Sequence, residues 1–237
     1  MIKDFRKELL TSMPHSTPQI TAPIIDRSWL ERAVLQVAPD LVGCTMVRKL
    51  PDGQVLRGMI VETEAYEEGD PACHAYRKKT DRNWIMFGPA GYTYVYLIYG
   101  MYHCVNIVTD RDEFASAVLI RALDMEPMPE DYGPGKPKPK EKLHRVAAGP
   151  GKLCRVMQID QTLYGTGLDG TGALWLEHRK ANWQQSLDLG NRELVQTTRI
   201  GLTQGIELPW RWYVKDNLAV SKTISKGISK GISKNSV

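Results

Sequence analysis

Residues 59–74 read Met-Ile-Val-Glu-Thr-Glu-Ala-Tyr-Glu-Glu-Gly-Asp-Pro-Ala-Cys-His. The apolar run Met59-Ile60-Val61 leads straight into Glu62-Thr63-Glu64-Ala65-Tyr66. Read as a strand, its two-residue period puts Ile60, Glu62, Glu64 and Tyr66 on one face. Two carboxylates and a phenol then share the mouth of a sheet, and the following loop brings His74 back within reach. Carboxylate, imidazole and phenol together can activate water and hold an aromatic ligand. A half-exposed edge strand with solvated glutamates fits the same pattern.

A second informative run is Thr93-Tyr-Val-Tyr-Leu-Ile-Tyr-Gly-Met-Tyr-His-Cys-Val-Asn106. Tyr94 and Tyr96 alternate with Val95 and Leu97, a strand pattern, and His103 to Val108 resumes the alternation. Between them Gly100 can take a positive φ, so Tyr99-Gly100-Met101-Tyr102 reads as a hairpin turn. Tips are normally polar, so Tyr99, Met101 and Tyr102 there need a reason. One is a wedge pushed between stacked bases; the other is a tip packed under a neighbouring loop.

Working outward, Ser28-Trp29-Leu30-Glu31 is a capping box opening a helix towards Ala38, with Leu30, Val34 and Val37 as its apolar stripe and Pro39 as its end. Thr45–Leu50 and Gln54–Val61 read as strands joined by the turn Pro51-Asp52-Gly53. Glu113–Ala122, Leu174–Glu177 and Arg211–Val214 are further strands. Gly149-Pro150-Gly151-Lys152 opens a helix to Met157, with spacing unlike a Walker loop. Strands arrive in hairpins and not in βαβ units. The expected fold is mixed α+β: a single compact domain with a curved, mainly antiparallel sheet surrounded by helices. It should span residues 23–217, between a flexible segment at 1–22 and a disordered Ile-Ser-Lys-Gly repeat tail at 218–237. The Pro- and Lys-rich stretch 124–148 suits a variable surface loop.

Net charge is +4, from 31 Lys and Arg against 27 Asp and Glu. Lys222, Lys226, Lys230 and Lys234 follow the last acid, Asp216. Without them the balance is 27 against 27, so overall charge does not argue for nucleic acid. Local clusters carry more: Arg77-Lys78-Lys79 with Arg82, and Lys136 to Arg145, can meet phosphates or stand as solvated loops. No apolar run approaches the ~20 residues of a membrane span, and no signal peptide is evident. Cys44, Cys73, Cys104 and Cys154 are widely spaced and read as free thiols of a reducing cytoplasm.

The chain resembles the alkyladenine (methylpurine) DNA glycosylases of base excision repair. The match runs through Arg57–Tyr66, Asp70–His74, Arg82-Asn83 with Met86-Phe87, Tyr94–Asn106 and Ala117–Ala122. It continues through Gly149–Cys154 and Arg199-Ile200-Gly201 with Trp210–Val214, in order from about Ile24 to Val214. Thr80-Asp81-Arg82 departs from the family's Thr-Pro-Arg, setting an aspartate where a phosphate passes.

The resemblance implies a monofunctional glycosylase that flips alkylated or deaminated purines out of duplex DNA and hydrolyses the N-glycosidic bond, leaving an abasic site. It implies Glu64 as general base and Arg121 as the arginine holding water and carboxylate, with the Ile200 carbonyl as a further water contact. Tyr66, His74 and Tyr96 sandwich the base, and Leu119 lines the same pocket. Asn106 rejects guanine, and Tyr99 fills the duplex, with Met101 and Tyr102 beside it. Arg77, Lys79, Arg82 and Lys152 are candidate phosphate contacts. No metal or cofactor is expected. The partner is double-stranded DNA with damaged purines, and the protein a monomer of the bacterial cytoplasm, nucleoid-associated, or of a eukaryotic nucleus. Two other readings use the same residues: a metal-dependent hydrolase built on Glu62, Glu64, His74 and His103, without a recognised ligand spacing, and a damage binder without chemistry.

Overall fold

The computed structural model describes residues 22–125 and 141–221. Its spine is β2 (Val55–Glu67), about twice the usual strand length. One edge of β2 pairs along its length with β5 (Ser116–Met125). The other edge is divided. Its first half pairs with β1 (Thr45–Lys49), its second with β8 (Arg211–Val214). Beyond β5 lie β4 (Tyr102–Val108) and β3 (Thr93–Ile98). Beyond β1 lies β6 (Leu174–Glu177), and β7 (Leu194–Thr197) pairs with β8. Every pairing in this eight-stranded sheet is antiparallel. β5 reads almost continuously apolar, as a strand covered on both faces must.

The expected helix from Ser28 to Ala38 is two helices. Asp26, not Ser28, caps α1 (Arg27–Leu30): its Oδ1 accepts from the Trp29 amide at 2.9 Å and from the Ser28 hydroxyl at 2.6 Å. The Asp26 carboxylate, one position before the helix, takes the capping role and leaves Ser28 inside the helix. α2 (Val34–Leu41) follows a break and carries Pro39 within it. Pro39 lies in the last turn, where its missing N–H removes one hydrogen bond without stopping the helix. Val34, Val37, Ala38 and Leu41 are buried on α2, the two valines and the leucine contributing ~1.5–3 kcal/mol each. The Ala38 carbonyl also accepts from Thr63 Oγ1 at 2.8 Å, tying α2 to the strand that carries the glutamates.

α3 (Pro150–Val156) starts where expected; α4 (Ala181–Asp188) and β7 were not legible, since α4 buries only Trp183 and β7 buries no residue fully. No helix among the described residues is long and apolar enough to cross a membrane. The packed chain continues past residue 217. Ala219 is buried, and Arg145 Nη1 donates to the carbonyls of Leu218 at 2.9 Å and Val220 at 2.6 Å. The expectations for residues 1–21, 126–140 and 222–237 lie outside the described residues.

Candidate active site

One cross-strand row runs through five strands: Tyr94 faces Asn106, Asn106 faces Leu119, Leu119 faces Glu64, and Glu64 faces Arg211. Directly opposed residues share a face, so the sheet gathers tyrosine, carboxamide, carboxylate and guanidinium from positions spread between 64 and 211 of the chain. Where Glu62 and Arg121 sit, the β2–β5 register is locally irregular, a feature often found beside functional sites.

Glu62 and Glu64 are both fully buried, on a central strand and not a half-exposed edge. Two unpaired carboxylates there would cost several kcal/mol each. Arg121 bridges them, Nε to Glu62 at 3.2 Å and Nη1 to Glu64 at 3.1 Å, and Arg211 Nη1 donates to Glu62 at 2.7 Å. Two acids thus meet two guanidiniums. Burial acts to lower Arg121, but the Glu64 and Glu62 carboxylates outweigh it and hold the guanidinium above its ordinary value.

The two glutamates differ in their remaining partners. Glu62 accepts from the Ser221 amide at 2.8 Å and the Ser221 hydroxyl at 2.9 Å. Glu64 accepts from the Tyr66 hydroxyl at 2.7 Å and the Ile200 amide at 2.8 Å. Glu62 faces the C-terminal segment; Glu64 is joined to the pocket through Tyr66. Burial, and then Glu64, pushes Tyr66 well above its ordinary value, so its hydroxyl stays a donor.

Arg199, absent from the expected site residues, holds the loop that brings Ile200 to Glu64. Buried and paired with Asp70, it donates to Asp70 Oδ1 at 2.9 Å and to the carbonyls of Ala65 at 2.9 Å and Gly205 at 3.2 Å. Its guanidinium lies 4.6 Å from the Tyr66 ring centre. The signal for it in the sequence was only an arginine beside Ile200, with no spacing to tie it to Asp70.

Above this layer a pocket of about 150 Å³ is lined by Tyr66, His74, Met86, Tyr94, Tyr96 and Asn106, with Ala72, Ile98 and Leu202 at its margins. Four expected residues line it: Tyr66, His74, Tyr96 and Asn106. Leu119, Arg121, Ile200 and Glu64 do not; they form the layer beneath. Tyr94, not expected, is a wall, and its hydroxyl lies 2.8 Å from His74 Nδ1. The His74 and Tyr96 rings are 4.6 Å apart at 71°. His74 is solvent-exposed at the mouth, yet desolvation of its ring, and then the Arg82 charge, lower it to about 4. Burial pushes Tyr94 up to about 12 and raises Tyr96 further. The walls are therefore uncharged near neutral pH. Asn106 is buried and donates from Nδ2 to the Tyr94 carbonyl at 2.9 Å.

At the hairpin tip Tyr99 and Gly100 both have positive φ, 52° and 69°. For a tyrosine that conformation costs ~1–2 kcal/mol. Tyr99 is 83 % exposed, Met101 66 % and Tyr102 40 %, so no neighbouring loop among the described residues covers the tip. Tyr102, where the returning strand starts, rests on α3: a Cβ at Gly151 would stand 3.0 Å from the Tyr102 Cβ.

Of the basic candidates, Arg82 is at the pocket, its guanidinium 5.3 Å from the Tyr96 ring centre. Arg77 and Lys79 are exposed, with Lys79 5.6 Å from the Phe87 ring centre. Lys152 is engaged by Glu141 at 2.5 Å. All four cysteines are free and buried, and desolvation raises Cys73 to about 12, which makes it a poor nucleophile. Among the described residues no group of three or more His, Cys, Asp or Glu is arranged to hold a metal ion, so Glu62, Glu64, His74 and His103 do not gather as a ligand set.

Comparison with known proteins gives one answer. The family model described as Methylpurine-DNA glycosylase matches residues 28–218. A protein of Trichodesmium erythraeum named "Putative 3-methyladenine DNA glycosylase" is 53% identical over 202 residues, covering 84% of this chain and 98% of its own. Proteins of the same name from Synechococcus sp. (strain JA-3-3Ab) and Methanocella arvoryzae are 51% and 44% identical, covering 81% and 84% of this chain and 96% of each of theirs. With the match spanning the sheet, the buried carboxylate pair and the aromatic pocket alike, the chain belongs to the methylpurine-DNA glycosylase family.

Proposed function

We propose that this protein rotates an alkylated or deaminated purine out of duplex DNA into the pocket of Tyr66, His74 and Tyr96. A water activated by Glu64 then hydrolyses its N-glycosidic bond and leaves an abasic site. The family makes it a DNA glycosylase, a hydrolase of N-glycosyl bonds in the repair of alkylation damage. What supports the finer reading is Glu64: a buried carboxylate fixed by three donors and joined through the Tyr66 hydroxyl to an aromatic pocket.

A base inside a duplex cannot be attacked at its sugar and must first be extruded. Stacking on aromatic faces is worth ~1–3 kcal/mol per base. Alkylated purines such as 3-methyladenine and 7-methylguanine carry positive charge, which neutral, electron-rich walls attract. The lowered His74 suits this, because an imidazolium there would repel a cationic base.

An ionised carboxylate accepts at about four lone-pair positions; three at Glu64 are taken, and the fourth is the place for the attacking water. The leaving base develops an oxocarbenium-like sugar, which the same carboxylate stabilises. General-base assistance is worth ~10²–10⁴-fold. Arg121 orients the carboxylate by donating to it, and Tyr99 fills the vacated stack. On this reading the protein works as a monomer, without a cofactor, wherever its DNA lies. The test is incubation with duplex DNA carrying 7-methylguanine or hypoxanthine, followed by alkaline cleavage at abasic sites. Strand breaks at the lesion support the reading; tight lesion binding with no abasic product contradicts it and favours the non-catalytic binder.

A further inference from the structure

Ser221 lies beyond the last residue the family model matches, 218, yet it donates two hydrogen bonds to Glu62, the carboxylate two residues before Glu64. We propose that Leu218–Ser221 is a strap that positions the active-site charges: Ser221 holds Glu62, Glu62 holds Arg121, and Arg121 holds Glu64. This rests on the reading of Glu64 as the base.

The strap is anchored at several points. Asn217 Nδ2 donates to Asp124 at 3.0 Å, its Oδ1 accepts from the Ala219 amide at 2.8 Å, and Arg145 binds the carbonyls of Leu218 and Val220. Its end delivers the Ser221 amide and hydroxyl to Glu62 at 2.8 and 2.9 Å. Ser221 is not among the residues lining the pocket, so it acts through others and is a positioning residue.

The geometry of Arg121 gives the strap its leverage. Arg121 is shared almost evenly, 3.2 Å from Glu62 and 3.1 Å from Glu64. Its place depends on how strongly each carboxylate pulls. The Ser221 donors and Arg211 occupy most of the acceptor capacity of Glu62. Without the Ser221 hydroxyl, Glu62 draws Arg121 towards itself and away from Glu64. The charged groups facing the pair are Arg121, Arg211 and Arg199; Tyr66, Tyr96 and Cys104 are also near Glu64, all raised by burial first and so protonated. None of them takes over the role of Arg121.

The experiment compares full-length wild type, Ser221→Ala and Ser221→Thr in single-turnover release of hypoxanthine and 7-methylguanine, with lesion-duplex affinity and thermal melting alongside. Ser221→Ala should slow release on the order of 10-fold, the low end of what one hydrogen bond to a charged group contributes. Affinity and melting should stay near wild type. Ser221→Thr, which keeps the hydroxyl, should restore the rate. A wild-type rate in Ser221→Ala would overturn the strap. So would equal losses in both variants, or a loss that follows melting temperature and affinity. Glu64→Gln separates the two ideas: if it is inactive while Ser221→Ala is normal, only the strap fails; if it releases base normally, the reading of Glu64 fails and the strap with it.

Discussion

The backbone amide of Ile200 donates a 2.8 Å hydrogen bond to Oε1 of Glu64 across 136 residues of sequence. The resemblance to known glycosylases had pointed to the Ile200 carbonyl as a contact for water. The amide adds a different function: it fixes the carboxylate itself. Because Ile200 sits in a loop, its position depends on neighbours, and those are Arg199 and Asp70.

Asp70→Asn should therefore loosen the 199–205 loop. It leaves the buried Arg199 charge without its counter-ion, and removing one partner of a buried pair costs ~3–5 kcal/mol. Urea unfolding should show a lower midpoint at unchanged slope, together with slower base release. A loss below ~1 kcal/mol with a normal release rate would show that the pair does not hold the loop.

Tyr99→Ala should impair extrusion without lowering the melting temperature, since Tyr99 is exposed and contributes little to folding. The loss in flipping should be on the order of a few kcal/mol, the scale of unstacking one base step. A 2-aminopurine next to the lesion reports it by fluorescence; an unchanged signal between wild type and variant would remove the wedge.

Asn106→Ser should raise release of unmodified guanine, most from mismatches where extrusion is easier, and change hypoxanthine release less. Asn106 lines the pocket and is held by the Tyr94 carbonyl; in the proposed reaction its carboxamide would stand against the 2-amino group of guanine. The variant also loses that hydrogen bond, ~1 kcal/mol of stability. Side-by-side excision assays with a thermal melt decide the matter. Parallel falls in guanine and hypoxanthine release, with a lowered melt, mean that Asn106 only ties the hairpin together.

How much of this was legible in the sequence varies by element. The two-residue period put Glu62, Glu64 and Tyr66 on one face, and the irregular register did not break it. Alternation at Tyr94, Tyr96 and Asn106 likewise carried through. Periodicity says nothing about what lies beneath a strand, so Arg211 and Ser221, which meet Glu62 from distant segments, and Arg199, which holds the Ile200 loop, stayed invisible. Leu119 shows the converse: it lies in the row between Asn106 and Glu64 but in the layer under the pocket. α4 was missed because one buried tryptophan makes no stripe.

His74 should titrate far below an ordinary histidine. Desolvation, then Arg82, lowers it from 6.5 to about 4, though solvent at the mouth screens part of the effect. Between those values the unfolded chain binds more protons than the native one. The contribution of His74 to stability therefore grows as pH rises through that window and is level above it. NMR titration of the His74 ring should give a midpoint well below 6.5, moving up in Arg82→Gln. A midpoint near 6.5 in both proteins would mean that the pocket does not desolvate the ring.

The assignment of the base is tested most directly by single-turnover release from a lesion duplex with Glu64→Gln and Glu62→Gln in parallel. Both glutamates are buried and both touch Arg121, so burial and charge do not tell them apart; their chemistry must. Glu64→Gln should lower release by at least about 10²-fold while lesion affinity persists. Glu62→Gln should retain measurable release and lose stability instead. Near-normal release by Glu64→Gln, with release abolished in Glu62→Gln, would contradict the account.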